Sequence, residues 1–319
     1  MSKKSTLKIA AGQIAPVWGD REGTLEKVLK SISQAADAGA ELVAFGEGLV
    51  PGYPFWIDAL EVAVFDDPMQ KDIFAHYASQ AVVIEEGHLE GVTALCAARK
   101  IACYLGCIER AMDRGGHSLY CTLVYIDSGG TIQSIHRKLM PTYQERLTWS
   151  PGDGHGLRTH KLGAFTVGGL NCWENWMPLV RASLQGLGED LHIAVWPGSA
   201  RNTSGITEHM AREGRSFVLS VASPMTKVDY SPNVPHLEYI LSKSPDEMAN
   251  GGSTIVGPCG TVLLEPQIGV EGVFTVEIDH TVVLRERHNF DPAGHYSRPD
   301  VTRLVVDRTR QKTVSFSDE

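Results

Sequence analysis

Short runs of apolar residues alternate with amphipathic segments along most of the chain. The first unit predicts a strand at residues 7–15, followed by a helix that carries Leu25 and Ile32 on one face and stops at Gly39. A buried strand is predicted next, at residues 42–45. Strands that alternate with helices in this way favour a layered α/β fold in which helices cover a sheet.

The same alternation continues to residue 278. Strands are predicted at 101–108, 119–126, 131–138, 164–171, 191–196, 217–223, 254–256, 261–264 and 272–278. Helices are predicted near 70–83, 88–99 and 207–216, and a further helix after Cys172 is expected to place Trp176, Leu179, Val180, Leu184 and Leu187 on one face. This pattern does not distinguish a doubly wound sheet from two sheets packed face to face.

The domain organisation is predicted from the spacing of these elements. No long linker rich in proline, serine or glycine divides the chain, so we expect a single domain over residues 1–304. A frayed tail is expected at 305–319. The polar, proline-bearing segment at 231–252 is expected to be an exposed excursion.

Composition and charge argue against several classes of partner. The 319 residues are 43% hydrophobic and 21% charged, which is an ordinary globular composition. Acidic residues exceed basic ones by nine (38 against 29), and no long basic block marks a nucleic-acid surface. The longest apolar runs are far shorter than the roughly 20 residues that a membrane span requires. Because Lys8 and Gln13 interrupt the N-terminal apolar segment, no signal peptide is expected, and we predict a cytoplasmic protein that binds neither nucleic acid nor membrane.

The cysteines and histidines predict neither disulfides nor a metal. Six cysteines in this length are too few for a disulfide framework, and none forms a Cys-x-x-Cys pair. Cys103 and Cys107, on a predicted strand, are interpreted as small core residues. The twelve histidines show no metal-ligand spacing, so no metal is expected.

Cys172 lies where the apolar strand at 164–171 gives way to the turn before Pro178. Backbone N–H groups converge at such a turn, and the positive end of a helix favours a thiolate. We therefore expect this thiol to ionise more easily than a free one, whose pKa is about 8.5, and to act as a nucleophile if a base lies nearby. On its own, the position is more typical of a buried structural cysteine.

Three charged residues are candidate partners of this thiol. Glu47 follows the strand at 42–45 among glycines and aromatic residues, where a partly desolvated carboxylate can act as a base. Lys138 ends another predicted strand and can place its charge beside a developing anion. Glu145 follows seven residues later. Each also has an ordinary interpretation, as a solvated loop acid, an exposed lysine and a salt-bridge partner of Arg146.

The segments around these residues resemble the nitrilase branch of the carbon–nitrogen hydrolase superfamily. Residues 42–54 (LVAFGEGLVPGYP) resemble its general-base segment, and residues 136–142 (HRKLMPT) resemble its catalytic-lysine segment. Glu145 matches the second glutamate, and residues 169–175 (GLNCWEN) resemble the nucleophile motif. The resemblance extends to DPAGHYSRPD at 291–300 and so covers nearly the whole chain.

The resemblance implies covalent hydrolysis of an organic nitrile to a carboxylic acid and ammonia, with no cofactor. Cys172 is the implied nucleophile and Glu47 the base that takes its proton. Lys138 and the Trp173 backbone N–H are expected to stabilise developing negative charge. Glu145 is expected to orient Lys138 and the attacking water. These groups should be mutually hydrogen-bonded, because unpaired charges are costly to bury.

The fold implied by the resemblance is a four-layer αββα sandwich, an α/β architecture of two sheets packed back to back with helices outside. The family also implies a homodimer or larger homo-oligomer, with contacts through the helix after Cys172 and the C-terminal segment. The chain departs from many relatives at Gly46, where they carry proline, which is expected to loosen the backbone. It ends nineteen residues after Asp300, which puts extended spiral assemblies in doubt.

The substrate and reaction class stay partly open. Tyr53, Trp173 and Trp196 are expected to contact the substrate, and with Phe55 and Trp56 they predict an apolar pocket for an aryl or alkyl nitrile larger than cyanide. The sequence Cys-Trp-Glu at 172–174 resembles true nitrilases more than amidases. The alternatives are an amidase or a cyanide-hydrolysing enzyme of the same superfamily, or a non-catalytic assembly protein with this fold.

Overall fold

The chain begins with a β–α–β unit. In the computed structural model, which describes residues 5–314 and 317, strand β1 (Thr6–Gln13) leads into helix α1 (Arg21–Asp37). Strand β2 (Leu42–Phe45) then runs parallel to β1. All four residues of β2 are buried, which explains their uninterrupted apolar sequence.

Four more strands complete the first sheet. They are β3 (Ala102–Arg110), β4 (Leu119–Ile126), β5 (Ile132–Arg137) and β13 (Gly272–Asp279). The order is β13, β1, β2, β3, β4, β5. Because β4 is antiparallel to both β3 and β5, strand β5 runs in the same direction as β2. The residues that follow β2 and β5 therefore meet at one edge of the sheet.

The second sheet contains the strand that leads to Cys172. Its strands are β6 (His160–Leu162), β7 (Phe165–Asn171), β8 (Leu191–Trp196), β9 (Phe217–Ala222), β10 (Pro224–Thr226), β11 (Glu247–Val256) and β12 (Val262–Ile268). The order is β10, β11, β9, β8, β7, β6, and β12 pairs with β11. Strands β7, β8 and β9 are parallel, so Cys172 lies at their shared carboxyl edge.

Helices cover the outer faces of both sheets. The remaining ones are α2 (Trp56–Ala59), α3 (Pro68–Gln80), α4 (Glu90–Arg99), α5 (Pro178–Gln185), α6 (Ala200–Thr203), α7 (Ile206–Gly214), α8 (Leu237–Lys243) and α9 (His280–Asn289). Helices α1 and α4 pack on the first sheet, and α5 and α7 pack on the second. Within the described residues, no helix is long and apolar enough to span a bilayer.

The two sheets pack face to face around one apolar core. Leu7 and Ile9 of β1 lie in a buried cluster with Ile193 of β8 and Leu219 of β9. Ala10, the next residue after Ile9, belongs instead to the cluster under α1, as the two-residue period of a strand requires. The predicted αββα sandwich is confirmed, and the doubly wound alternative is excluded.

Two predictions about local structure are wrong. Helix α5 does not bury the expected apolar face: Val180 and Leu184 are buried, but Leu179 is 68% exposed and Leu187 is 43% exposed. The helix ends at Gln185, so Leu187 lies beyond it.

The segment at 231–252 is not an exposed excursion either. It contains α8 and the start of β11, and Val234 and Ile240 are buried in a cluster around Trp18. A few widely spaced apolar residues of this segment pack into the core. Its polar composition overall led to the wrong prediction.

The C-terminal segment docks on the loop at 150–156. The Asp153 carboxylate accepts hydrogen bonds from Arg310 Nη1 at 3.1 Å and from the Gln311 N–H at 2.9 Å. Gly154 faces Asp307 so closely that a Cβ there would lie 2.1 Å from the Asp307 carbonyl oxygen. Residues 307–311 are therefore not frayed. Residues 315, 316, 318 and 319 of the predicted tail lie outside the described residues.

Candidate active site

Cys172 is held at the end of β7 in an uncommon backbone conformation. Its φ is +43°, in the left-handed region that side chains rarely occupy, and a 3-10 turn (Cys172–Trp176) follows. Glu174 Oε2 accepts a hydrogen bond from the Asn171 N–H at 2.8 Å and thereby closes the turn. Such strain persists only where the surroundings fix the backbone.

Glu47 is positioned by contacts between the two sheets. It follows β2, and its backbone N–H donates to the Trp196 carbonyl of the second sheet at 3.1 Å. A Cβ on Gly46 would lie 2.5 Å from Ser223 Oγ, so the glycine lets the sheets approach closely here. The backbone before Glu47 is thus packed tightly, contrary to the loosening expected from the missing proline.

Lys138 joins two carboxylates. It directly follows β5, and its Nζ donates to Glu47 Oε1 at 2.9 Å and to Glu145 Oε2 at 2.7 Å. Glu145 sits in the 3-10 turn Tyr143–Leu147, where its Oε1 accepts a hydrogen bond from the Tyr53 hydroxyl at 2.8 Å. Glu47, Lys138 and Glu145 are all buried, so each charge is compensated by its neighbours.

The thiol and the two carboxylates converge on one point. An oxygen of Glu47, an oxygen of Glu145 and the sulfur of Cys172 all lie within 4.8 Å of one another. Glu47 Oε2 is buried and has no hydrogen-bond partner among the described residues, so it is free to accept a proton. Three such groups can ligate a metal in principle, but the Lys138 ammonium already binds both carboxylates.

The electrostatics favour a strong base rather than an acidic thiol. Burial raises the pKa of Glu47 to about 8, against the opposing charge of Lys138. Burial also raises the pKa of Cys172 well above its usual value, and the Glu47 charge adds to this effect. The Lys138 pKa is raised because its anionic neighbours outweigh its desolvation. The expectation of an easily ionised thiol is wrong, because desolvation exceeds the field of a short turn.

A cavity of about 410 Å³ opens above Cys172. Tyr53, Phe55 and Trp173 line one part of it, and the rest includes polar and charged side chains, among them Asp58, Thr142, Arg201 and Asn202. The cavity is therefore mixed in character and not the apolar pocket that the aromatic residues predicted.

Two of the predicted pocket aromatics lie elsewhere. Trp196 is 1% exposed, and its Nε1 donates to Ser220 Oγ at 3.3 Å, behind the strand that underlies the cavity. Trp56 packs against Trp18 in a separate cluster. The structure therefore brings Tyr53 and Trp173 to the cavity and does not bring Trp196 there.

Sequence reasoning gave no structural role to Glu174. Its Oε1 accepts from the Leu139 N–H at 2.7 Å, and its Oε2 lies 2.9 Å from His136 Nε2. The His136 charge and hydrogen bonds outweigh burial and lower the pKa of Glu174. This carboxylate therefore ties the turn after Cys172 to the segment around Lys138. Its place in the nucleophile motif was the available signal, but its contacts cross between the sheets.

The sequence pattern of the carbon–nitrogen hydrolase family matches residues 8–285. The chain belongs to this family. Nitrilase 2 of Arabidopsis thaliana is 35% identical over 308 residues, covering 95% of this chain and 89% of that protein. An aliphatic nitrilase of Sinorhizobium fredii is 35% identical over 310 residues, covering 96% and 97%. A bifunctional nitrilase/nitrile hydratase of Nicotiana tabacum is 31% identical, covering 99% and 90%.

Solved structures of this family share the fold. A carbon–nitrogen hydrolase from Helicobacter pylori G27 aligns with a TM-score of 0.69 at 18% identity, covering 93% of this chain and 96% of that one. An amidase from Nesterenkonia sp. aligns with a TM-score of 0.65 at 15% identity, covering 91% and 97%. At these identities the alignments establish the architecture alone.

Proposed function

We propose that this carbon–nitrogen hydrolase is a nitrilase, which converts an organic nitrile into the carboxylic acid and ammonia. The observation that carries the proposal is the buried cluster in which Lys138 binds Glu47 and Glu145 beside Cys172. Relatives named nitrilase that align over nearly the full chain support it.

The reaction begins with attack on the nitrile carbon. Glu47 accepts the proton of the Cys172 thiol through its unpartnered oxygen as the sulfur forms a bond to carbon. The nitrile nitrogen gains the electron pair and then the proton, which gives a thioimidate. The raised pKa of Glu47 suits both steps, because a stronger base removes the proton and its acid form returns it.

Water then releases ammonia. Addition of one water to the thioimidate gives a tetrahedral intermediate, and protonation of its nitrogen by Glu47 lets ammonia leave and a thioester form. A second water, activated by Glu47, hydrolyses the thioester to the acid and restores the thiol. Two waters are consumed for each acid and ammonia formed.

Lys138 and the Trp173 N–H would stabilise the negative charge in these steps. Glu145 accepts a second hydrogen bond from Lys138, and the Tyr53 hydroxyl donates to Glu145. This support lets the ammonium keep its position as charge moves at the reacting carbon. Glu145 therefore acts as the residue that orients Lys138 and the water.

The cavity supports a substrate larger than cyanide. Its volume of about 410 Å³ accommodates an aliphatic or arylaliphatic nitrile. Tyr53, Phe55 and Trp173 can contact the apolar part of that substrate, with the reactive carbon at Cys172. Trp196 would act only through the packing beneath the cavity.

Product analysis tests the reaction class. The purified protein is incubated with aliphatic and arylaliphatic nitriles and with the matching amides, and ammonia, acid and amide are quantified. We expect acid as the major product of a nitrile, with the amides poor substrates. Faster hydrolysis of amides would make the protein an amidase, and turnover of cyanide alone would make it a cyanide-hydrolysing relative. Amide as the major product would resemble the hydratase activity named for the Nicotiana relative.

Assembly, domain organisation and location form part of the same proposal. Exposed apolar residues cluster around α5, including Trp176 (49% exposed) and Leu179 (68% exposed), and they support a homodimer or larger homo-oligomer. The shared core between the sheets supports one catalytic domain over residues 1–304. We place the protein in the cytoplasm, since its six cysteines are all free thiols.

A further inference from the structure

A buried chain of hydrogen bonds contacts the main chain of Cys172 on the side away from the cavity. Asn175 Nδ2 donates to the Cys172 carbonyl oxygen at 2.9 Å, and Asn175 Oδ1 lies 2.7 Å from His192 Nε2. His192 Nδ1 lies 2.9 Å from Glu189 Oε1. Asn175 is 0% exposed, and His192 and Glu189 are each 3% exposed. None of these three side chains lines the cavity above Cys172.

The direction of each hydrogen bond follows from the chemistry of the groups. Asn175 Nδ2 faces the carbonyl oxygens of Cys172 and Leu170, which only accept, so the amide oxygen must face His192. That oxygen also only accepts, so His192 Nε2 carries a proton. The Glu189 carboxylate accepts from Nδ1. The two ring nitrogens of His192 therefore join Asn175 to Glu189.

The geometry of the peptide transmits this anchoring to the reacting atoms. The Cys172 carbonyl and the Trp173 N–H belong to one planar trans peptide, so they point in opposite directions. Holding the carbonyl against Asn175 turns the N–H toward the sulfur, where its hydrogen bond acts to lower the pKa of the Cys172 thiol. Donation to the carbonyl also polarises the peptide and strengthens its N–H as a donor.

Asn175 is itself fixed by a second contact. Arg181 Nη1, on α5, donates to the Asn175 carbonyl at 2.6 Å, and the same guanidinium forms an ion pair with Glu213 of α7 at 2.8 Å. The main chain of Asn175 cannot follow a movement of Cys172 without breaking this bond. These contacts of Asn175 therefore stabilise the strained φ of Cys172.

We propose that Asn175, His192 and Glu189 are positioning residues that orient and polarise the Cys172–Trp173 peptide, so that its N–H group meets the negative charge formed during nitrile hydrolysis. They touch neither substrate nor the reacting atoms. The proposal rests on the proposed nitrilase function and adds to it a supporting layer outside the motifs around Glu47, Lys138 and Glu145.

The test compares matched histidine variants. His192→Gln removes the ring but leaves an amide that can donate to Asn175, and Asn175→Asp removes the donor to the Cys172 carbonyl. His280→Gln is the control, because His280 also bonds a carboxylate, that of Asp190 at 2.9 Å, but lies at the start of α9 and outside the contacts that lead to Cys172. For a nitrile that the wild type hydrolyses, we expect kcat to fall about tenfold in His192→Gln and further in Asn175→Asp, with KM within about twofold. Complete loss of a donor to an oxyanion costs on the order of 100- to 1,000-fold.

An aldehyde matching the nitrile gives a second readout. The Cys172 thiol adds to its carbonyl carbon, the C=O π bond breaks, and the oxygen takes the electron pair and the thiol proton in a hemithioacetal that resembles the tetrahedral intermediate. Its inhibition constant should rise in parallel with the loss of kcat/KM in both site variants and stay unchanged in His280→Gln. Parental kcat in folded Asn175→Asp and His192→Gln would overturn the proposal, as would equal losses in the control.

Nuclear magnetic resonance tests the same chain without turnover. Histidine labelled with ¹⁵N, assigned by comparison with His192→Gln, should show Nε2 of His192 protonated at neutral pH, and an unprotonated Nε2 would overturn the proposal. If the wild type hydrolyses no nitrile, the proposed function fails, and this spectrum and aldehyde binding still decide the positioning role.

Discussion

His136 Nε2 lies 2.9 Å from Glu174 Oε2 and so links the strand before Lys138 to the turn after Cys172. The segments that carry Lys138 and Cys172 come from different sheets, and this buried contact links them directly. It acts together with the bond from the Leu139 N–H to Glu174 Oε1. The relative position of lysine and thiol thus depends on a carboxylate that takes no part in the chemistry.

Glu174→Gln should lower kcat by about tenfold or more with the protein still folded. The amide replaces one acceptor with a donor, so either the Leu139 or the Asn171 N–H loses its partner, at a cost of about 1–3 kcal/mol. Steady-state kinetics and thermal melting measure both effects. Unchanged kcat alongside a lowered melting temperature would show that the contact serves stability alone.

Cys172→Ala should abolish nitrile hydrolysis and leave the assembled protein folded, because loss of a covalent nucleophile can cost about a millionfold in rate. Ammonia release and size-exclusion chromatography measure the two properties. Cys121→Ala provides a comparison, since Cys121 is also buried but lies in the cluster around Trp18. Activity above a few per cent in Cys172→Ala would refute covalent catalysis by this residue.

Lys138→Ala should lose activity by a hundredfold or more, because the cation both stabilises developing charge and separates two buried carboxylates. Without it, Glu47 and Glu145 face each other, and one must take up a proton. Above pH 8, where Glu47 of the folded wild type is ionised, potentiometric proton uptake during refolding of the variant and wild type would detect this difference. A parental rate in the variant would refute the role assigned to Lys138.

Glu47 should make stability fall as the pH rises. Its pKa is about 8 in the folded chain, against an ordinary 4.5, so the folded state keeps a proton that the unfolded state has lost between these values. Stability from this group is therefore present below pH 4.5 and lost as the pH passes 8. The melting temperature of the wild type should decline from pH 6 to 9 relative to Glu47→Gln, which lacks this titration. Parallel melting curves would contradict the raised pKa.

The same group should control the pH dependence of activity. Glu47→Gln keeps the shape of the side chain but cannot accept the thiol proton, and a loss of a hundredfold or more is expected. In the wild type, kcat/KM should rise with pH through the pKa of Glu47, near 8. A profile already flat from pH 5 upward would indicate an ordinary carboxylate.

Tyr53→Phe and Trp196→Phe should differ in their effects, because Tyr53 lines the cavity and Trp196 packs beneath it. Tyr53→Phe removes the hydroxyl that bonds Glu145, and a hydrogen bond to a charged group contributes about 1.5–3 kcal/mol, so kcat/KM should fall by about tenfold or more. Trp196→Phe should lower the melting temperature while KM stays near parental, because the indole lies outside the cavity. A large change of KM in Trp196→Phe would indicate that Trp196 contacts the substrate after all.

The sequence alone determined the nature of the fold's elements and which side chains are candidate reactive groups. Strand β2 is recognisable from four consecutive apolar residues, and the nucleophile motif lies within seven residues around Cys172. Such signals are local, because strand periodicity and turn chemistry depend on near neighbours. They are sufficient to place Glu47 and Cys172 at strand ends without any knowledge of tertiary contacts.

Tertiary structure alone decided how these groups behave. The pKa values of Glu47 and Cys172 follow from burial, which no local pattern reports, and burial reversed the expectation of an acidic thiol. Trp196 left the predicted pocket because its strand turns that side chain, like His192, toward the outer helices. The link from Cys172 through Asn175 to His192 spans twenty residues of sequence and exists only because β7 and β8 lie side by side. Contacts of this kind arise from the packing of whole layers, so they are decided only when the sheets come together.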